Sequence, residues 1–296
     1  MSKTNLLLAV SGGVDSMVLA HIFAGSGVAP TIAHFNHHLR PDSDLDEQLV
    51  ANFATSHNLP FIVGHGELKT ASEEAARHAR HAFLQNAAKS RKPIATGHHL
   101  DDMVESIAIN LKRGTGWRGL AVLNRPNYLR PLLELEKSDL QSLARQLKIK
   151  WREDSTNQSL EYLRNRLRAR TTPLPFDTKW QLLKLRNRQI EIAREITEII
   201  QPTNQRRLYQ SLDDLTAHEF LRAWLLEKNI RTTRPELSRL LTAIREYEPQ
   251  KKLQLANSQF ILIRKNDFIV APTPAPAPTN SRHSYRQSAP LADSSR

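Results

Sequence analysis

"LLLAVSGGVDSMVLAHIF", Leu6 to Phe23, changes character in its middle. Five apolar residues end at Val10, Ser11-Gly12-Gly13 interrupt them, and an apolar helical pattern resumes near Ser16. The pattern reads as strand, tight loop and helix. Two glycines let the backbone fold tightly and aim N–H groups at an anion. Ser11 and Ser16 add hydroxyl donors, and the following helix turns its positive end toward the same point. Asp15 fits beside an anion only if a cation is bound as well, and polyphosphate with Mg²⁺ satisfies both demands. No Gly-Lys-Ser/Thr follows the glycines, and they are not spaced as G-x-G-x-x-G, so neither a Walker site nor a dinucleotide fingerprint is present. A tight turn capped by an aspartate is the plainer alternative, but it gives no reason for the strand and helix on either side.

Outward from this loop, short apolar runs alternate with helical patterns. Strands are expected at Asn5–Val10, Thr31–Phe35, Phe61–Val63 and Pro93–Thr96, and helices at Ser16–Phe23, Ser43–His57 and Ser72–Ser90. Such alternation predicts an α/β fold, a parallel sheet with helices on both faces, whose ligands bind at the carboxyl ends of the strands. Ser138-Asp139-Leu140-Gln141 has capping-box spacing and predicts a helix to about Leu147. Trp180 to Ile200 reads as a long helix between proline breaks. Leu208 to Val270 reads as a small α+β module, with helices near Ala217–Glu227 and Pro235–Glu246 and strands near Lys252–Leu255 and Phe260–Arg264. The organisation expected is a first domain over 1–175, a linker helix over 176–203, a small second domain over 204–271, and a disordered Pro/Ser/Arg-rich tail over 272–296.

The 296 residues carry a net charge of +12, which favours a polyanionic partner. There are no cysteines, so this chain offers no disulfide, thiolate metal site, persulfide or iron–sulfur ligand. Met1 to Val10 does not read as a signal peptide, and no apolar run approaches the ~20 residues of a membrane span. A cytoplasmic location and no membrane partner are expected.

The loop S-G-G-x-D-S resembles the pyrophosphate loop of the ATP pyrophosphatase superfamily, and later motifs resemble those of the tRNA(Ile)-lysidine synthetases. These are His34-Phe35-Asn36-His37-His38-Leu39-Arg40, Glu74-Ala75-Ala76-Arg77 to Arg80, His98-His99-Leu100-Asp101-Asp102 to Glu105-Ser106, Lys112-Arg113-Gly114, Arg130-Pro131-Leu132-Leu133, and Glu153-Asp154-Ser155-Thr156-Asn157 with Arg164-Asn165 and Arg168. The series spans about Leu7 to Pro173 in one order. His38 departs from the family's usual glycine, His81 from a common tyrosine, Ser106 from threonine and Thr156 from serine. The further C-terminal domain of longer family members is not expected here.

The resemblance implies a Rossmann-like PP-loop ATPase domain and a second domain that binds tRNA or substrate. It implies a ligase that adenylates the wobble cytidine of the CAU-anticodon isoleucine tRNA and joins free L-lysine to C2, releasing AMP and pyrophosphate. ATP and Mg²⁺ are the implied cofactors, and a homodimer is compatible with the sequence. Ser11, Gly12, Gly13, Val14, Asp15 and Ser16 would hold ATP through its pyrophosphate, and His34, Asn36 and His37 would lie in the adenosine region. Asp101, Asp102 and Glu105 would be catalytic, and Asp15, Asp101 and Asp102 would hold the metal. Asp101 and Glu105, four apart, share a helix face with Asp102 at its shoulder, and carboxylates facing a triphosphate demand a cation. Acidic residues also suit a helix first turn for their own sake. Arg77, Arg80, Lys112, Arg113, Asp154, Asn157, Arg164, Asn165 and Arg168 would bind tRNA and cytidine, with Arg206, Arg207, Arg222, Arg231 and Arg234 extending the basic track.

Against this reading, a dimetal phosphoesterase built on His98-His99 leaves the Ser11–Ser16 loop unexplained, and tRNA thiolation relies on cysteines. A small-molecule ligase such as an NAD synthetase does not explain the charge. A silent RNA-binding protein has no use for the acidic cluster.

Overall fold

A computed structural model describes residues 3–38, 42–66, 73–89, 93–153, 166–167, 171–255 and 259–271. The 272–296 segment expected as a disordered tail lies outside them. Two compact units divide the chain at Glu198/Ile199.

In the first unit, strands β1 (Lys3–Ala9), β2 (Ala29–Asn36), β3 (Phe61–His65), β4 (Ile94–Thr96) and β5 (Tyr128–Leu129) form a sheet in the order β3-β2-β1-β4-β5. Every pairing is parallel. The helices are α1 (Val14–Gly25), α2 (Ser43–Ser56), α3 (Glu73–Ala88), α4 (Leu100–Lys112), α5 (Lys137–Gln146) and α6 (Phe176–Ile199). The period-two alternation of a strand sends Leu6, Leu8 and Val10 to one face, where they pack with Met17, Val18, Val50, Phe53, Leu140 and Ala144. It sends Leu7 to the other face, against Ala33, Ile94, Leu84 and Ala88. Burying both faces is what a parallel sheet requires.

The strand order reverses between β1 and β4, and the crevice at such a switch point is where ligands bind. Here β1 delivers the Ser11–Ser16 loop and β4 delivers Gly97-His98-His99. Close approach of the two ends explains Gly97: a Cβ there would stand 3.0 Å from the Asp15 carbonyl carbon and 3.0 Å from Ser16 N.

Three local expectations are corrected. The α5 cap lies two residues earlier than Ser138: Glu136 N–H donates to Asp139 Oδ2 at 2.9 Å, and Ser138 falls inside the first turn. The cause lies outside the helix, since Glu136 and Lys137 are pinned by partners described below. The two-residue β5 was not expected. The small sheet of the second unit has three antiparallel strands where two were expected: β6 (Lys252–Gln254), β7 (Phe260–Ile263) and β8 (Phe268–Ala271).

The second unit also contains α7 (Arg206–Ser211), α8 (Asp214–Glu227) and α9 (Arg234–Glu246), around a core that includes Tyr209, Leu221, Trp224, Leu240 and Phe268. Arg206, expected on an RNA-facing track, is buried; its guanidinium donates to the carbonyls of Ile244 and Tyr247. Carbonyls at a helix end have no partner within the helix, and Arg206 is used to satisfy them. No helix among the described residues is long and apolar enough to cross a membrane.

Gly97→Ala is expected to lower stability by about 1–3 kcal/mol, the range for overpacking a tight contact. Urea denaturation checks this, and a midpoint equal to wild type would show that the β4 end yields freely.

Candidate active site

The Ser11–Ser16 loop closes on itself. Ser16 Oγ donates to the Gly13 carbonyl at 2.9 Å and accepts Ser11 N–H at 3.1 Å, with the Ser11 hydroxyl 3.2 Å away. Gly12 adopts φ +91°, which favours glycine, and its carbonyl accepts Arg152 N–H at 3.0 Å. The Arg152 side chain then grips Asp46 and Asp42 at 2.7 Å each, tying the loop to α2. No side chain caps the start of α1 at Gly13, which leaves the positive end of the helix without a side-chain acceptor at its cap.

Asp15, in the first turn of α1, meets Lys137 Nζ with both carboxylate oxygens at 2.7 Å. The Lys137 N–H donates to Asp101 Oδ2 at 2.8 Å. Asp101 Oδ1 and Glu136 Oε1 both accept from Lys179 Nζ, at 2.6 and 2.7 Å. Lys179 thus lies buried on α6 between two carboxylates. His99 completes the group: its Nε2 is 3.8 Å from Asp15 and 3.4 Å from Asp102, and its Nδ1 is 3.6 Å from Asp101.

These contacts set the charges. Burial works against ionised Asp101, but His99, Lys179 and the Lys137 N–H outweigh it and hold the carboxyl well below the usual range. Burial likewise opposes protonated His99, yet the carboxylates of Asp101, Asp102 and Asp15 raise its pKa. Its neighbour His98 behaves oppositely. Burial pushes it down to about 4, with Arg80, Arg130 and Arg77 adding to that effect against the pull of Asp102. Burial, with Arg80, takes His37 down to about 4, and burial, with Arg125, Arg80 and Arg77, takes His81 to about 3.

A family model described as a PP-loop domain matches residues 1–174. The chain belongs to the PP-loop family. It is 36% identical over 182 residues to the tRNA(Ile)-lysidine synthase of Exiguobacterium sibiricum, covering 59% of this chain and 44% of that protein. To the synthase of Thermotoga maritima it is 32% identical over 185 residues, 57% of this chain and 45% of the relative. The bifunctional protein TilS/HprT of Listeria monocytogenes serotype 4b is 34% identical over 191 residues, 58% of this chain and 30% of the relative. The match therefore spans less than half the length of these curated relatives. Among solved structures, the U34-tRNA thiolase NcsA from Methanococcus maripaludis shares the fold, with a TM-score of 0.54 at 17% identity over 63% of this chain and 72% of that one.

Within this PP-loop domain the expected site residues separate into groups. Asp15, from the Ser11–Ser16 loop, meets both Lys137 and His99, and Asp102 meets His99, at the β1/β4 crevice. Asp101 shares the cluster and anchors it, with Lys179 on one oxygen and the Lys137 N–H on the other. Glu105, one turn on along α4, is 2% exposed. His34 is buried with Nδ1 on the Val10 carbonyl at 2.9 Å, supporting the root of the loop. Asn36 gives its amide to Asp44 and Glu47 and its oxygen to His38 N–H. That last bond steadies His38 at φ 51°, the conformation a glycine would favour, while its ring stacks on His65. His37 packs edge-on to Phe35.

Arg77 and Arg80 bear electrostatically on His98 from α3. Lys112 and Arg113 are exposed at the far end of α4, roughly 16 Å along the helix from Asp101. Asp154, Asn157, Arg164, Asn165 and Arg168 lie outside the described residues. No group of three His, Asp or Glu residues arranged to hold a metal occurs among the described residues. Asp15 and Asp102 nevertheless fit Mg²⁺ in part. They are hard oxygen donors whose carboxylates both come within 4 Å of His99 Nε2, beside an open helix N-terminus. Asp101 is the most enclosed of the three, with a side chain 11% exposed that already joins Lys179 to the Lys137 N–H.

Glu136, Lys137, Lys179 and Arg152 stand in none of the motifs above. One signal was available: Lys179, Leu183 and Arg186 recur at i, i+4 and i+7 on α6, and all three are buried. Cations on a buried helix stripe call for buried partners.

Two outcomes are expected. Lys179→Met, which strands two carboxylates, should cost about 3–5 kcal/mol, and adding Asp101→Asn should recover part of that loss in a double-mutant cycle. Secondly, His37, His81 and His98 have folded pKa values below the unfolded value of about 6.5, so the unfolded chain binds more protons between that value and about 4. The contribution of these three histidines should then be full above pH 6.5 and fall as pH drops toward 4, before Asp101 begins to titrate. His99, with its raised pKa, acts in the opposite sense: its contribution is full below about 6.5 and is lost as pH rises above that value. Urea midpoints from pH 7.5 to 4.5 test this, and a flat profile would contradict it.

Proposed function

We propose that this PP-loop protein joins free lysine to C2 of the wobble cytidine in the CAU-anticodon isoleucine tRNA, using ATP. The observation that carries the reading is the 32–36% identity to tRNA(Ile)-lysidine synthases across the PP-loop region. The charge of +12 supports an RNA substrate. Absence of cysteine disfavours thiolation chemistry resembling that of the structural neighbour.

In this reading the cytidine O2 attacks the α-phosphate of ATP and pyrophosphate leaves. The lysine ε-amine then adds at C2, AMP departs with the former carbonyl oxygen, and the amine loses its proton. The Ser11–Gly13 backbone and the start of α1 hold the leaving pyrophosphate by oriented N–H groups. Asp15 and Asp102 would hold Mg²⁺, which supplies charge neutralisation on the phosphates. Of the three acidic residues on α4, Asp102 is the one whose carboxylate is less buried, next to a neutral His98, and it is assigned the proton from lysine on the carboxylate oxygen not used for Mg²⁺. Arg77 and Arg80 flank that acceptor side and position RNA, as Asp154, Asn157, Arg164, Asn165 and Arg168 would on the segment that follows. A cytoplasmic location accords with these substrates.

Labelled lysine, ATP and Mg²⁺ with the isoleucine or the methionine CAU tRNA provide the test. Label in the isoleucine tRNA alone, with AMP and pyrophosphate released, is expected. Pyrophosphate release without label would sink lysine as the nucleophile, and no pyrophosphate would sink the ligase reading. Asp102→Asn should slow single-turnover lysine addition at least tenfold, and an unchanged rate would remove that residue from the scheme.

A further inference from the structure

The two lysines of the acidic cluster are built differently. Lys179 has a side chain 4% exposed and is clasped by Asp101 and Glu136, an arrangement that seals α6 to the domain. Lys137 has a side chain 37% exposed and one carboxylate partner, Asp15, which is itself 24% exposed. A lysine serving only to join elements gains most when sheltered from water, since exposed ion pairs contribute about 0–1 kcal/mol. Lys137 instead keeps its charge at an open face, beside the uncapped start of α1 and next to the loop that folds around Ser16. Its main chain is fixed, because its N–H donates to Asp101 Oδ2. The ammonium alone, on a flexible four-carbon stem, is free to change partner.

We propose that Lys137 is a phosphate-binding residue held in reserve by Asp15. Without ligand, Asp15 presents a negative charge at a helix N-terminus suited to phosphate, and Lys137 neutralises it. With its carboxylate engaged by a divalent cation, Asp15 would release Lys137, and the Lys137 ammonium would then be available to pair with the β- or γ-phosphate, adding to the positive charge of the helix end. Loading the site becomes an exchange of ion partners, so the free protein never leaves an unpaired carboxylate beside the loop.

This inference rests on the ATP-cleaving reading of the loop, and the test separates the two. Pyrophosphate binding is measured by calorimetry, with and without Mg²⁺, on wild type, Lys137→Met, Lys137→Arg and Asp15→Asn. Wild type should bind pyrophosphate with Mg²⁺; no binding by wild type would overturn the loop assignment itself. Lys137→Met should bind at least tenfold more weakly, and Lys137→Arg should stay within about threefold of wild type. Equal binding by wild type and Lys137→Met would make Lys137 a tether only. Asp15→Asn keeps the ammonium and removes its jailer. It should bind pyrophosphate without Mg²⁺ more tightly than wild type does, and weaker or equal binding would overturn the exchange even if Lys137→Met fails to fold.

Discussion

The Asp101 carboxylate is the point on which the first unit turns. It is buried at the start of α4, and it is met by Lys179 from α6, by the N–H of Lys137 from α5, and by the ring of His99. A buried carboxylate with no partner would be intolerable, and so would a buried lysine. Each therefore compels the other, and the compulsion fixes where three helices begin or pass. Because Lys137 is held there, its side chain reaches Asp15, and the loop that follows β1 acquires a cation from a residue 122 positions away.

The same crevice has two electrostatic characters on adjacent histidines. His99 lies among carboxylates and its protonated form is favoured; His98 is kept neutral chiefly by burial, to which nearby arginines add. Two consecutive positions at the β4 end therefore favour opposite protonation states.

Strands β1 to β4 were legible because glycine, proline and apolar alternation are local signals, and the loop was legible because its residue types have few other uses in that order. Strand β5 has only two residues, and β8 is an unalternating apolar stretch running into a proline-rich segment; neither carries a pattern. The cap of α5 was misplaced because Ser138 is a better cap on local grounds than Glu136. The long-range pairing of Glu136 with Lys179 overrides that preference. The ion partners of Asp15 and Asp101 lay 122 and 78 residues away and left no periodic trace. Residue types at the crevice could be read, whereas the difference between Asp101, held by Lys179 and Lys137, and the more exposed Asp102 required their neighbours.

Lys179 also bears on where this domain can be said to stop. The family match ends at residue 174, whereas the lysine that neutralises Asp101 and Glu136 comes five residues later. The recognisable family sequence and the set of residues that completes its buried ion pairs are therefore different lengths. A chain ending at the edge of the match would carry Asp101 and Glu136 without the cation that makes burial of Asp101 tolerable, so the first turn of α6 belongs with the domain whose charges it balances.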